Sequence, residues 1–452
     1  MEYRSINPYS RDIVGHYEEL TEKQLQQKLE KAQRCYKNWK REPLAKRQGL
    51  LLKAAANLRQ NADRYARLIT AEMGKLLKES QAEVEKCAWV CEYYAENVKK
   101  QLQPEYIATD ADESFVSYEP LGCVMAIMPW NFPFWQVFRF AAPNLAAGNV
   151  GVLKHAHNVF GCGEAIEEVF RESGFPEGAF QNLVIGSEIS SKAIESPFVQ
   201  AVTLTGSERA GVKVASLAGQ NLKKTVLELG GSNAFIVLPD ADIDQAVQVA
   251  VKARMQNAGQ SCIAAKRFIL VEEIADEFTK KFHARVQALV AGDPVDDVSD
   301  MGPLAREDLA ETLQDQVARS IEQGAHLLLG GKREHAFYAP TILENVKPGM
   351  PAFKEETFGP VAALVRAKST EQAIELANAT QFGLGDSICT GNTEKAKQLV
   401  PLLDGGAVFF NELVKSDPRL PFGGTKASGY GRELSLHGIR EFVNAKTVYI
   451  KK

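Results

Sequence analysis

The chain has 452 residues, 45% of them apolar and 24% charged, with a formal net charge of -4. That length exceeds one ordinary core and calls for two or three packed units, and the composition excludes a disordered chain. The mild acidity, with Lys and Arg mixed among Asp and Glu, excludes the basic face that a nucleic-acid partner requires.

Met1 to Thr21 is polar and lacks the charged-then-apolar order of a secretory leader. No apolar run approaches the roughly 20 residues that span a bilayer, so no membrane partner is expected. The next stretch reads as helical: Leu25, Leu29 and Ala32, then Leu50, Leu51, Ala54, Leu58, Tyr65 and Leu68, recur at helical spacing. Gly74 is placed to end one long helix, and a second is predicted from about Leu76 to Asn97, with Cys87 and Cys91 one turn apart. The seven cysteines show no paired spacing and no zinc-ligand pattern. They give no metal site and no disulfide framework, and favour a reducing, cytoplasmic location.

After Pro104 the texture changes to strands. Glu113 to Glu119 alternates as an exposed strand does, and Gly122 to Met128 is a short apolar run ending at Pro129. Further strand-like runs are Val150 to Lys154, Ala201 to Leu204, Thr225 to Leu227, Ala234 to Leu238, Phe268 to Val271, Val361 to Val365 and Ala407 to Phe410. Helical stretches such as Cys162 to Ser173 and Asp244 to Asn257 lie between them. Alternation of this kind predicts an α/β protein with parallel sheets flanked by helices.

Two segments put a reactive side chain beside glycines: Leu227-Glu228-Leu229-Gly230-Gly231 and Asn257-Ala258-Gly259-Gln260-Ser261-Cys262. A thiol attacks carbonyl carbon only as thiolate, so Cys262 as a nucleophile requires a polar, partly open pocket that lowers its pKa. Taken alone, such a cysteine is more often a small buried core residue. Glu228 ends an apolar run, where open α/β sheets put their sites, and is placed to serve as a general base. A buried carboxylate satisfied by backbone N–H groups accounts for it equally well. In Pro129-Trp130-Asn131-Phe132-Pro133 two prolines fix the backbone around an amide able to donate to an oxyanion. A rigid aromatic turn is the blander account. Leu204-Thr205-Gly206-Ser207 is a strand-to-turn segment suited to a dinucleotide at a following helix N-terminus, although no GxGxxG fingerprint is present.

Together these pieces resemble the aldehyde dehydrogenase superfamily along nearly the whole chain. The resemblance extends through Glu356-Thr357-Phe358-Gly359-Pro360 and from Pro421-Phe422-Gly423-Gly424 to Ser428-Gly429-Tyr430-Gly431-Arg432-Glu433. It implies that Cys262 attacks the aldehyde while the Asn131 amide and the Cys262 N–H hold the oxyanion. Hydride then passes to the nicotinamide of NAD or NADP, leaving a thioester that Glu228-activated water hydrolyses. The cofactor residues implied are Pro129, Trp130, Lys154, His157, Gly186, Thr205, Gly206, Ser207, Leu229, Glu356 and Phe358. Many relatives follow the lysine with Pro, Ser or Ala, then Glu; this chain reads Lys154-His155-Ala156-His157. Without that acid a 2′-phosphate is not repelled, so use of both nicotinamides is expected, His157 itself being able to stay neutral at pH 7.

Lys154-His155-Ala156, Gln256-Asn257, Ala264-Ala265-Lys266-Arg267-Phe268 and Ser416-Asp417 are most similar to the short bacterial succinate-semialdehyde dehydrogenases. In that group an arginine ten residues after the first Pro of the Pro-Trp-Asn-Phe-Pro motif grips the substrate carboxylate, which points to Arg139 here. A salt bridge inside the fold is the alternative for Arg139. Longer relatives carry a second arginine where this chain has Gln256, and Ser416 is the partial replacement, with Phe422 as a further substrate contact. Transfer of the thioester to coenzyme A, or a non-catalytic binding protein on this fold, are the competing readings; the presence of Glu228 argues against both, and that of Cys262 against the second. The resemblance further implies a Rossmann-type cofactor domain (1-101 and 121-229), an α/β catalytic domain (230-427) and a small β arm (102-120 and 443-452). That arm would complete a partner's sheet in a homodimer or homotetramer, because an exposed alternating strand such as Phe115 to Tyr118 needs a neighbour.

Overall fold

Short β-branched and aliphatic runs build the centres of two sheets in a computed structural model that describes residues 1–452. The first sheet has six strands in the order Gly429–Tyr430, Lys224–Glu228, Val199–Thr205, Cys123–Met128, Val150–His155, Phe180–Asn182. All are parallel except Gly429–Tyr430, which runs against Lys224–Glu228. Cys123–Met128 is flanked by Val150–His155 on one side and Val199–Thr205 on the other. The winding therefore reverses there, and a reversal opens a crevice at the carboxyl ends of the strands.

The second sheet has seven strands: His326–Leu329, Thr341–Glu344, Val361–Ala367, Ala265–Val271, Asn233–Val237, Asp386–Cys389 and Val408–Phe410. Only His326–Leu329 is antiparallel to its neighbour. Alternate residues feed two cores. Ala234, Ile236, Ile269, Ala363 and Val365 pack on one face, and Phe235, Val237, Phe268, Leu270 and Leu364 on the other. Burial on both faces is why these strands read as continuous apolar runs.

The predicted long helix over Leu50 to Leu68 is two helices, Leu44–Gln60 and Ala62–Met73, parted at Asn61 (φ -107). Gly74 ends the second in the left-handed region, φ 78, as its sequence position implies. The next helix, Leu77–Gln101, runs four residues beyond the expected Asn97. The polar N-terminus forms an antiparallel hairpin, Glu2–Ile6 with Ile13–Glu18, that no apolar alternation announced. One expectation about the arm is corrected. Glu113–Pro120 already has neighbours on both edges from its own chain, Val443–Ile450 and Glu105–Tyr106. The long unpaired edge is that of Val443–Ile450. No helix is long and apolar enough to cross a membrane.

Arg267, 1% exposed in the middle of the second sheet, ties that sheet to the chain entering it and to a helix packed on it. Its guanidinium donates to Ser232 O (2.9 and 2.7 Å), just past the Gly230-Gly231 crossover, and to Leu376 O and Ala377 O (2.6 and 2.8 Å). The last two are terminal carbonyls of helix Thr370–Asn378, where a cation also meets the negative end of the helix dipole. Arg267→Leu leaves all three carbonyls without this donor and is expected to cost about 3 kcal/mol or more, lowering the thermal unfolding midpoint. An unchanged midpoint would contradict this account of the junction.

Candidate active site

Helix Ile243–Met255 stops where Asn257, Ala258 and Gly259 turn left-handed (φ 54, 50 and 73). Ala258 gains nothing from that conformation, so the surroundings must hold it. They do so through the carbonyls. Every C=O from Gly259 to Ala265 accepts from a side chain. Arg254 reaches Gly259 O (2.5 Å) and Ala265 O (3.0 Å). Asn131 and Asn257 both donate to Gln260 O (3.1 Å each). Lys266 takes Ser261 O and Cys262 O (2.9 Å each) and, longer, Ala264 O (3.4 Å), while Asn233 takes Ile263 O (3.1 Å). The Cys262 N–H, by contrast, has no partner.

Cys262 is the one cysteine of the seven that is not buried; it opens onto a cleft of about 170 Å³. The expected lowering of its pKa is corrected here. Protein atoms crowd the sulfur on its other sides and burial pushes the thiol up to about 11, against the opposing pull of Arg139 and Lys266. At neutral pH the resting residue is a thiol.

Glu228 ends its strand opposite Thr205 on one side and Gly429 on the other. It is 2% exposed, and neither carboxylate oxygen has a hydrogen-bond partner. Satisfaction by backbone N–H groups, the bland account of this residue, does not occur. Burial first, then the Glu433 carboxylate, lifts its pKa well above the usual range, with Arg139 and Arg432 countering. Asn131 is buried and spends one of its two amide protons on Gln260 O, two residues before Cys262.

Arg139, Gln256, Ser416 and Phe422 all line the cleft that holds Cys262. Arg139 is also engaged inside the fold, as its salt-bridge alternative expects. It forms an ion pair with the buried Glu433, donates to Thr205 Oγ1 (3.3 Å) and lies 4.5 Å from the Phe422 ring centroid.

The other sequence-predicted residues gather at the carboxyl ends of the first sheet. Pro129 and Trp130 follow one central strand, and Lys154 lies near the end of the next. Ser207 caps helix Glu208–Gln220, its hydroxyl accepting from Ala210 N (3.3 Å). A Cβ at Gly206 would meet only Leu204, at 3.6 Å, so the backbone there is open to a ligand. Leu229 is buried against helix Glu208–Gln220. Glu356 accepts from Gly231 N (3.0 Å) and lies 3.4 Å from Lys266 Nζ, while Phe358 meets Trp130 edge to face at 5.7 Å. Gly186 is the exception: its N–H already donates to Glu19 (2.7 Å) and is not free for a cofactor. Lys154 is half-buried with no hydrogen-bond or carboxylate partner, and burial alone holds its ammonium low. An unpaired cation and an open helix N-terminus at the carboxyl ends of one sheet suit the hydroxyls and phosphates of a dinucleotide. Crowding by protein, then the Arg306 and Lys154 charges, keeps His157 below its ordinary value, so it is neutral at pH 7.

Sequence reasoning missed three residues of this site. Lys86 lines the cleft, Lys266 grips the carbonyls around Cys262, and Glu433 pairs with Arg139. Lys266 and Glu433 lie inside Ala264-Ala265-Lys266-Arg267-Phe268 and Ser428-Gly429-Tyr430-Gly431-Arg432-Glu433, where nothing local in the sequence discloses their roles. Lys86 sits in a helix among charged residues and carries no sequence signal of its own.

The aldehyde dehydrogenase family model matches residues 1–448. The chain is 50% identical over 453 residues to a probable NADP(+) succinate-semialdehyde dehydrogenase of Synechocystis sp., covering 100% of both chains. It is 44% identical over 448 residues to the NAD(P)+ succinate semialdehyde dehydrogenase of Escherichia coli, covering 98% of this chain and 97% of the other. A crystal structure of succinic semialdehyde dehydrogenase from Streptococcus pyogenes with NADP+ superposes with a TM-score of 0.98 at 39% identity, covering 100% of both chains.

Because the other six cysteines are buried, alkylation by iodoacetamide reports on Cys262. With the thiol pushed up to about 11, the cofactor-free rate is expected to climb through pH 8, 9 and 10 without levelling. A plateau near pH 7 would mean that the resting residue is already a thiolate.

Proposed function

Since the chain belongs to the aldehyde dehydrogenase family, we propose that it oxidises succinate semialdehyde, or a similar short aldehyde, to the carboxylate with NAD or NADP. The observation that carries the mechanism is the open Cys262 thiol beside its own unpartnered N–H, in a molecule whose Glu228 is buried and unpaired.

The chemistry assigned to each residue follows from its surroundings. Cys262 attacks the aldehyde carbon, and the new oxyanion is held by the Cys262 N–H and the remaining Asn131 amide proton. Such a donor is worth roughly 2.7–4 kcal/mol of barrier. When bound, the nicotinamide supplies the two-electron acceptor. Collapse leaves an acyl group on the sulfur. Glu228, a stronger base than an ordinary glutamate because burial raises its pKa, takes a proton from the water that releases the acid. Lys154, the turn Thr205-Gly206-Ser207 and Glu356 are assigned to the cofactor, with Pro129, Trp130, Leu229 and Phe358 as its walls. With no acid at 157 and a neutral histidine there, the site accommodates either nicotinamide. Arg139, Gln256, Ser416 and Phe422 are assigned to the substrate.

We further assign residues 1-101 and 121-229 to cofactor binding, 230-427 to catalysis and the arm, 102-120 with 443-452, to assembly. The eight-residue free edge of Val443–Ile450 is the surface that supports a homodimer or homotetramer.

Cys262→Ala is expected to abolish turnover while leaving cofactor affinity unchanged. Glu228→Gln should release one reduced nicotinamide per subunit in a rapid burst and then turn over at least about 100-fold more slowly. Full steady-state turnover in Glu228→Gln would exclude it as the hydrolytic base. A rate restored by coenzyme A in the parent enzyme would redirect the acyl group away from water.

A further inference from the structure

The cleft around Cys262 contains two cations from neighbouring helices, and they stand in different states. Arg139 is already paired with Glu433 and holds Thr205. Lys86, on helix Leu77–Gln101, has no carboxylate within 4.0 Å. Its Nζ donates to Ser416 Oγ (2.8 Å) and lies 4.2 Å from the Trp135 ring centroid, both of them walls of the same cleft. An ammonium has three protons to donate, and only one is used here. Lys75 and Lys266, which are buried more deeply than the half-buried Lys86, each have a carboxylate, Glu83 and Glu356. Burial, then the Arg139 charge, brings Lys86 down to about 8, with Cys87, Glu83 and Asp417 acting the other way. A cation held off water between a hydroxyl and a ring face is completed by an anion entering the cleft.

We propose that Lys86, with the Ser416 hydroxyl that it holds, binds the far carboxylate of the substrate and supplies the second positive charge that Gln256 does not. Arg139 then acts beside it, orienting Phe422 and balancing Glu433. The inference rests on the reading of the substrate as a carboxylate-bearing aldehyde, and it makes helix Leu77–Gln101 a determinant of specificity.

The test compares succinate semialdehyde with butanal, an aldehyde of the same chain length without the charge, at saturating NADP. Lys86→Met keeps the apolar stem and removes the ammonium. It should lower kcat/KM for succinate semialdehyde by about 30-fold or more, through KM, and change that for butanal by no more than about twofold. Lys86→Arg should recover most of the loss. Should Lys86→Met lower the thermal midpoint, Lys86→Gln, which can still donate to Ser416, carries the same expectation. Equal losses on both aldehydes, or no loss on either, would overturn the assignment of Lys86. A parent enzyme that does not prefer succinate semialdehyde over butanal would overturn the charged-substrate reading itself, before any substitution is made.

Discussion

The segment from Gly259 to Ala265 leads from a helix into a central strand of the second sheet with few backbone partners, and its carbonyls must be satisfied all the same. A buried, unpaired carbonyl costs about 1–3 kcal/mol, and several within one short segment would be prohibitive. Arg254, Lys266, Asn131, Asn257 and Asn233 meet that demand from three sides. The left-handed turn at Asn257 to Gly259 follows from the same constraint, because it brings the carbonyls to these donors. With its carbonyl fixed from behind by Lys266, Cys262 keeps a free N–H beside a sulfur that faces the cleft. Asn131, one of the donors, is thereby fixed two residues from the nucleophile, so the network that stabilises the turn also orients the oxyanion site.

Polar groups without partners are rare in a folded interior, and each requires an account. Several of those found here cluster where a ligand would complete them: the Cys262 N–H, both oxygens of Glu228, and the ammonium groups of Lys154 and Lys86. Among the charged groups of the scaffold, two are fully engaged. Glu72 accepts from Ser5, Tyr17, Gly161 and Cys162, and Arg267 donates to three carbonyls.

Much of the scaffold was legible because its strands are buried on both faces and therefore read as apolar runs, from Val150–His155 to Val361–Ala367. The nucleophile and base were legible through their glycine neighbours: a Cβ at Gly231 would sit 2.7 Å from Cys262 O, and one at Gly423 2.7 Å from Glu228 Oε1. What stayed hidden depends on tertiary neighbours. Asp244 to Asn257 keeps an apolar rhythm, yet the helix stops at Met255, because the turn is imposed by distant donors and Ala258 has no local preference for it. The strand at Phe115 has the alternation of an exposed edge, and nothing near it in sequence discloses that residues 443–450 cover it. The thiol's pKa was misjudged for a related reason: an open mouth does not offset protein packed on the other sides.

The charges of the cleft explain why its occupant should itself be charged. Arg139 is balanced by Glu433 and Lys266 by Glu356, while Lys415 on the rim is 2.8 Å from Glu412. Burial raises the pKa of both Glu228 and Cys262, which weakens each as a counter-charge to a cation. Of the carboxylates lining the cleft, Glu83 is paired with Lys75 and Glu79 accepts from Asn257 N, so among the lining cations Lys86 alone lacks a carboxylate partner. A neutral aldehyde would leave that charge without a partner. A carboxylate-bearing one removes the imbalance at the far wall while Arg139 and Lys266 still favour a thiolate at the near one. Binding and activation then draw on different cations, so a substrate's tail can be recognised without weakening the field at the sulfur.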